Sequence, residues 1–142
     1  MKTTLKNPLL LISGLTFCAA VFFSGSAFAQ DKPKGKPWPA PEADAKKANP
    51  TKSDEATLKD GKELYGQHCK SCHGATGKGD GTKAAQIDIS CGDFASDECK
   101  NQSDGALFWK VTEGRKPMPS FKEKLSDDER WKVVTYIRSF KK

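Results

Sequence analysis

Cys69-Lys70-Ser71-Cys72-His73-Gly74 sets two thiols and an imidazole within five consecutive residues. Three chemistries use such a cluster: a metal clip, a redox dithiol, and a haem held by covalent bonds. The rest of the chain discriminates between them.

A zinc site would draw on Cys69, Cys72, Cys91 and Cys99, spaced C-x2-C-x18-C-x7-C. Zinc ribbons use a second close pair, and x7 is too open for one. A thioredoxin-like dithiol needs its CxxC after a strand in a βαβ pattern. Here the pair ends a helical pattern in a chain without a convincing strand. Covalent haem fits best. Two thiols three residues apart on one helical turn can each add to one vinyl group. The histidine that follows can then reach the iron as its fifth ligand. The expected cofactor is one covalent haem c, attached through Cys69 and Cys72 and ligated by His73.

The sixth ligand follows by elimination. The chain has two histidines, and His68 is tethered too close to Cys69 to cross to the far face. Of the two methionines, Met1 belongs to the leader, which leaves Met118 in Lys116-Pro117-Met118-Pro119. A lone methionine is often a core gap-filler. Here the flanking prolines fix their own φ and push Met118 out of helical geometry. A stiff loop of that kind presents sulfur with little loss of entropy.

Three main helices surround these residues. The first spans about Asp54 to Lys70, with Leu58, Leu64, Tyr65 and Cys69 on neighbouring turns. Gly61 lies inside it at a cost of about 1 kcal/mol against alanine, which suggests close approach of another helix. The second spans about Asp104 to Glu113, between Ser103 as N-cap and Gly114 past the end. The third spans about Asp127 to Phe140. It starts at the capping box Ser126-Asp127-Asp128-Glu129 and carries Val133, Tyr136, Ile137 and Phe140 as its apolar stripe. Residues 74–102 read as loop, with one helical turn near Lys83 to Gln86. The fold class is all-α.

Upstream, Lys2 and Lys6 precede an apolar run from Leu9 to Phe23, and Ala27-Phe28-Ala29 supplies a small-residue cleavage site. Residues 1–29 therefore read as a secretory signal peptide. The run is shorter than the ~20 residues a spanning helix needs. An uncleaved anchor is the alternative, and membrane contact is expected only in that case. Lipidation at Cys18 is a further option, disfavoured by the bulky Phe17. Residues 30–52 hold five of the eight prolines, several lysines and little apolar surface beyond Trp38. They read as an extended, mostly disordered linker. The folded domain is then residues 53–142. It is small enough that a large apolar cofactor would help fill its core. The formal charge of +6 loses two lysines with the leader, a balance too weak and mixed to imply nucleic acid.

From about Asp54 to Phe140 the chain resembles the class I monohaem cytochromes c of exported bacterial proteins. The resemblance rests on Cys69, Cys72 and His73, on Met118 45 residues after the histidine, and on the two terminal helices. It implies a small cytochrome c fold whose first and last helices cross at right angles, with Gly61 and Tyr65 meeting Tyr136. The Gly77-Lys78-Gly79-Asp80-Gly81 loop also looks similar to the bacterial branch. Many relatives place a proline carbonyl on the free N–H of the ligand histidine. No proline lies between His73 and Pro117 here, and Thr82 stands near the corresponding spot. Cys91 and Cys99 have no part in the haem motif. A disulfide between them is expected, worth roughly 2.5–3 kcal/mol by loop closure, with free thiols as the alternative.

A haem iron held by histidine and methionine has no open position, and the soft sulfur favours Fe(II). The expected function is one-electron transfer between redox protein partners, in the periplasm, with no small-molecule substrate and no enzymatic activity. A haem subunit or domain of a larger respiratory or dehydrogenase complex is the alternative. A peroxidase would need five-coordinate iron and a distal acid or base, and a four-helix gas-binding cytochrome would carry CxxCH near its C-terminus. Lys116, Lys122 and Lys124 flank the methionine loop. They can steer an acidic partner or simply be solvated.

Overall fold

Short polar side chains define where the helices begin. Asp54 accepts from the Thr57 amide at 2.9 Å and starts α2, Glu55–His68. Ser103 accepts from the Ala106 amide and starts α5, Asp104–Glu113, which ends at Gly114 with φ +65°. Ser126 and Glu129 close a reciprocal capping box at the head of α6, Asp127–Arg138. Each cap satisfies amides that have no partner inside their own helix.

The protein is described by a computed structural model covering residues 32–140. The expected signal peptide, Cys18 included, lies outside the described residues, apart from which α2, α5 and α6 are the three main helices expected. Shorter elements join them: α1, Glu42–Ala45; α3, Lys70–His73; α4, Asp97–Lys100; and a 3-10 turn at Ala84–Gln86. Among the described residues there is no strand, only one isolated bridge between Arg115 and Met118. No helix among them is long and apolar enough to cross a membrane.

The most extensive helix pairing is α2 with α6. A Cβ on Gly61 would run into the Lys132 carbonyl and stand 2.9 Å from Tyr136 Cβ. The Tyr65 and Tyr136 rings lie 5.3 Å apart. Close helix approach thus accounts for the glycine. Tyr65, Cys99, Leu107, Phe108, Trp131, Val133, Val134 and Ile137 form the main core. Phe108 and Trp131 stack at 4.0 Å between α5 and α6. A second, smaller cluster joins Val111 of α5 to Phe121 and Leu125 of the segment that follows it.

Residues 32–52, expected as a disordered linker, lie along the domain instead. Asn49 Nδ2 donates to Asp104 at 3.0 Å and to Thr135 at 3.1 Å. Ser103 Oγ donates to the Ala45 carbonyl, so α1 sits against the head of α5. Trp38 packs on Trp109 at 5.8 Å. Low average hydrophobicity concealed one large ring with a distant partner.

Candidate functional site

The two halves of the site stand on separate frames. The first is the turn α3. Its amides at Cys72 and His73 both donate to the Cys69 carbonyl, at 3.1 and 3.0 Å. Gly74, at φ +80°, ends it. The glycine-rich loop then folds back on the turn: Gly79 N donates to His73 O at 2.9 Å, Gly81 N to Cys72 O at 3.1 Å and Lys83 N to Ser71 O at 2.7 Å. Positive φ at Gly77 and Gly79 makes this reversal possible. Cys69, Cys72 and His73 are thereby brought together on one turn, as expected.

Cys69 is partly buried against the main core. Burial, and then the nearby Cys72, push its thiol up to about 12. Phe94 stacks on the His73 ring at 4.7 Å and 23°. Burial lowers the His73 pKa, while the main chain of Cys91 works the other way. The imidazole is therefore held neutral, the form that binds a metal. Its Nδ1 is buried and makes no hydrogen bond. Neither Thr82 nor another acceptor, expected for this nitrogen, pairs with it among the described residues. A neutral, oriented imidazole beside two thiols on one turn fits a covalently attached haem.

Tyr65 braces the same turn. Its hydroxyl donates to Gly74 O at 2.7 Å, fully buried. Burial raises the phenol above its ordinary value of 10.0. Its neutral form therefore contributes stability that is complete below about pH 10 and is lost as pH rises further, because the unfolded phenol ionises first. Tyr65→Phe removes the bond and leaves the Gly74 carbonyl with only the long bond from Gly77 N at 3.5 Å, at about 1–3 kcal/mol near neutral pH. Its stability is expected to decline less steeply above about pH 10 than that of the native protein. Guanidinium unfolding at neutral and alkaline pH checks both. Equal alkaline slopes would remove Tyr65 from the account.

The second frame holds Met118. The Arg115 and Met118 main chains exchange two hydrogen bonds, each 2.9 Å. Phe121 N donates to Val111 O at 3.2 Å, and Ser120 Oγ to Thr112 O at 2.6 Å. These bonds fasten the loop to the end of α5. The Lys116–Pro117 peptide is cis. Met118 is half-buried, packed on the Val111, Phe121 and Leu125 cluster. His68 lies edge-on to Phe121 at 5.9 Å.

The expected Cys91–Cys99 disulfide is not formed. Short α4, capped by Ser96, turns Cys99 into the core beside Tyr65 and Leu107. Cys91 lies in a half-buried loop, where burial and then Cys72 raise its thiol pKa and Lys32 opposes the rise. Sequence spacing carries no information on these directions. Among the described residues, no three His, Cys, Asp or Glu side chains converge on a metal-sized site.

Residues 56–137 match the Cytochrome_CBB3 family model, described as cytochrome c oxidase, cbb3-type, subunit III. The chain belongs to this family. It is a c-type cytochrome of class I-like fold, and its cofactor is a covalently bound haem c. Solved structures agree. A chain of the Kuenenia stuttgartiensis reducing HAO-like protein complex Kustc0457/Kustc0458 is 33% identical over 75% of this cytochrome, with a TM-score of 0.61. This cytochrome spans only 53% of that chain. The KustC0563 c-type cytochrome is 36% identical over 58% of this chain and 99% of its own, with a TM-score of 0.52. Among curated proteins none matches.

Proposed function

We propose that this cytochrome is a one-electron carrier whose haem is attached through Cys69 and Cys72 and ligated by His73 and Met118. The bound group would supply a couple between Fe(III) and Fe(II). The chain's residues hold it and tune it. Cys69 and Cys72, on one turn, fix its edge. His73, neutral and stacked on Phe94, would ligate its iron. Met118 would ligate it too, from a loop tied to α5. The observation that carries the reading is that loop: a thioether between two prolines, clasped by two main-chain bonds to Arg115. Such a ligand needs little rearrangement when the charge on iron changes. With His73 and Met118 both bound to it, the group would keep no position for oxygen or peroxide.

Read as an export signal, residues 1–29 would send the protein to the periplasm. Electron donor and acceptor would be redox proteins that meet the domain briefly, as such encounters do. Lys116, Lys122 and Lys124, all exposed beside the methionine loop, would steer an acidic partner. The second reading, a subunit of a larger redox complex, is favoured by the likeness to a chain of the HAO-like complex.

The test begins with purified exported protein. Haem that stays on the denatured polypeptide, with split visible bands of low-spin iron after reduction, is expected. Haem extracted freely into acidified acetone would overturn the attachment. Electron transfer with an acidic redox protein should then slow by about tenfold between low and physiological salt. A flat salt response would remove the steering lysines. Co-purification of a stable stoichiometric partner would favour the complex-subunit reading.

A further inference from the structure

Residues 32–38 form a strap fastened along its length, Lys34 pairing with Glu98 at 2.9 Å among its contacts. At its start, the Lys32 ammonium donates to the carbonyls of Ala84, Ala85 and Ile87. Pro33 O accepts from Ser90 N at 3.0 Å. In its middle, a Cβ on Gly35 would lie 3.3 Å from both the Arg115 guanidinium and Ile89 Cδ1. At its end, Trp38 packs on Trp109 and beneath two cations, with Arg115 Cζ 4.7 Å and Lys110 Nζ 5.4 Å from the ring centre. The strap thus joins the loop before Cys91, whose main chain faces His73, to Arg115.

Arg115 works in two directions. Its guanidinium lies over Trp38 and donates to Lys36 O at 2.9 Å and Pro37 O at 3.3 Å. Its own main chain makes both bonds to Met118. A guanidinium stacked on one ring and held by two carbonyls keeps few rotamers, and its Cα moves little. The residue that clasps Met118 is thereby anchored to a segment nearly 80 positions upstream.

We propose that Trp38 and Arg115 are positioning residues for the iron's methionine ligand, and that the strap sets how often Met118 releases the metal. This rests on the reading of Met118 as ligand. Loosening the strap frees the Arg115 side chain, weakens the pairing at Met118 and raises the population with sulfur off iron. Core helices α2 and α6 have no part in this motion.

The test is imidazole binding to the ferric holoprotein, a reaction limited by release of the methionine. Trp38→Ala is expected to bind imidazole about tenfold faster, from loss of the cation–π contacts and of the order in two hydrogen bonds. Its far-red sulfur-to-iron absorption band should also vanish at a lower temperature than the native band, below the melting of helical circular dichroism. Trp38→Phe, which keeps a ring for Arg115, should restore most of the native rate. Native-like imidazole kinetics in Trp38→Ala would overturn the proposal. So would band loss that merely coincides with global melting. Met118→Ala separates the two layers. If it binds imidazole far faster than the native protein, and Trp38→Ala adds nothing to it, the strap acts through the ligand as proposed. If the native protein already binds as fast as Met118→Ala and lacks the far-red band, Met118 is not a ligand and the underlying reading fails. If Trp38→Ala accelerates binding equally in the Met118→Ala background, the strap acts elsewhere and the proposal falls while the ligand reading stands.

Discussion

Met118→Ala is expected to lower the reduction potential of the holoprotein by on the order of 100 mV or more, given that axial ligands tune haem across roughly 0.8 V. Thioether sulfur is soft and stabilises Fe(II). Water or hydroxide in its place is hard and stabilises Fe(III), so the sign is downward. The fold should survive. Met118 is half-buried at the edge of the Val111, Phe121 and Leu125 cluster, and truncating it there costs about 1–2 kcal/mol, less than for a fully buried methionine. Redox titration with the visible spectrum measures both quantities. An unchanged potential and an unchanged spin state would exclude Met118 from the iron.

The largest stability effect is expected at Gly61. In an ordinary helix Gly→Ala gains about 1 kcal/mol. At Gly61 the new methyl would enter the main chain of α6 at Lys132 and crowd Tyr136 Cβ at 2.9 Å. Backbone yields far less readily than a side-chain tip, so α2 and α6 must separate. Forced separation of packed elements costs about 1–3 kcal/mol, or more where backbone is struck. Gly66 in the same helix is the control, because a Cβ there meets nothing within 4 Å. Gly66→Ala should stabilise by up to about 1 kcal/mol. Guanidinium midpoints of the two variants should therefore move in opposite directions. Parallel shifts would mean that the crossing does not decide the fate of Gly61.

Much of this architecture is local and hence legible in one dimension. Ser103 and Gly114, and Ser126 with Glu129, mark helix ends through bonds spanning three or four residues. Gly61 was conspicuous because it is costly without a neighbour. The turn bearing Cys69, Cys72 and His73 is itself a local object, and Met118 emerged because so few other ligands exist. What stayed hidden depends on pairs remote in sequence. Trp38 finds Trp109 and Arg115; Phe94 finds His73; the Cys91 main chain finds the same ring. The Cys91–Cys99 bridge failed as an expectation for a related reason. Eight positions of separation say nothing about α4 rotating one thiol inward while the other stays in a loop.

The pairing of α2 with α6 also dictates a sequence of events. A ribosome makes the CKSCH turn well before Asp127–Arg138, so α2 must wait, its inner face open, until the last helix exists to cover it. Contacts between such distant segments close late and slowly. During that interval Cys69, later packed against the core, stands in water within reach of any assembling factor. The order of synthesis thus leaves the thiols available for chemistry first and partly covers them afterwards.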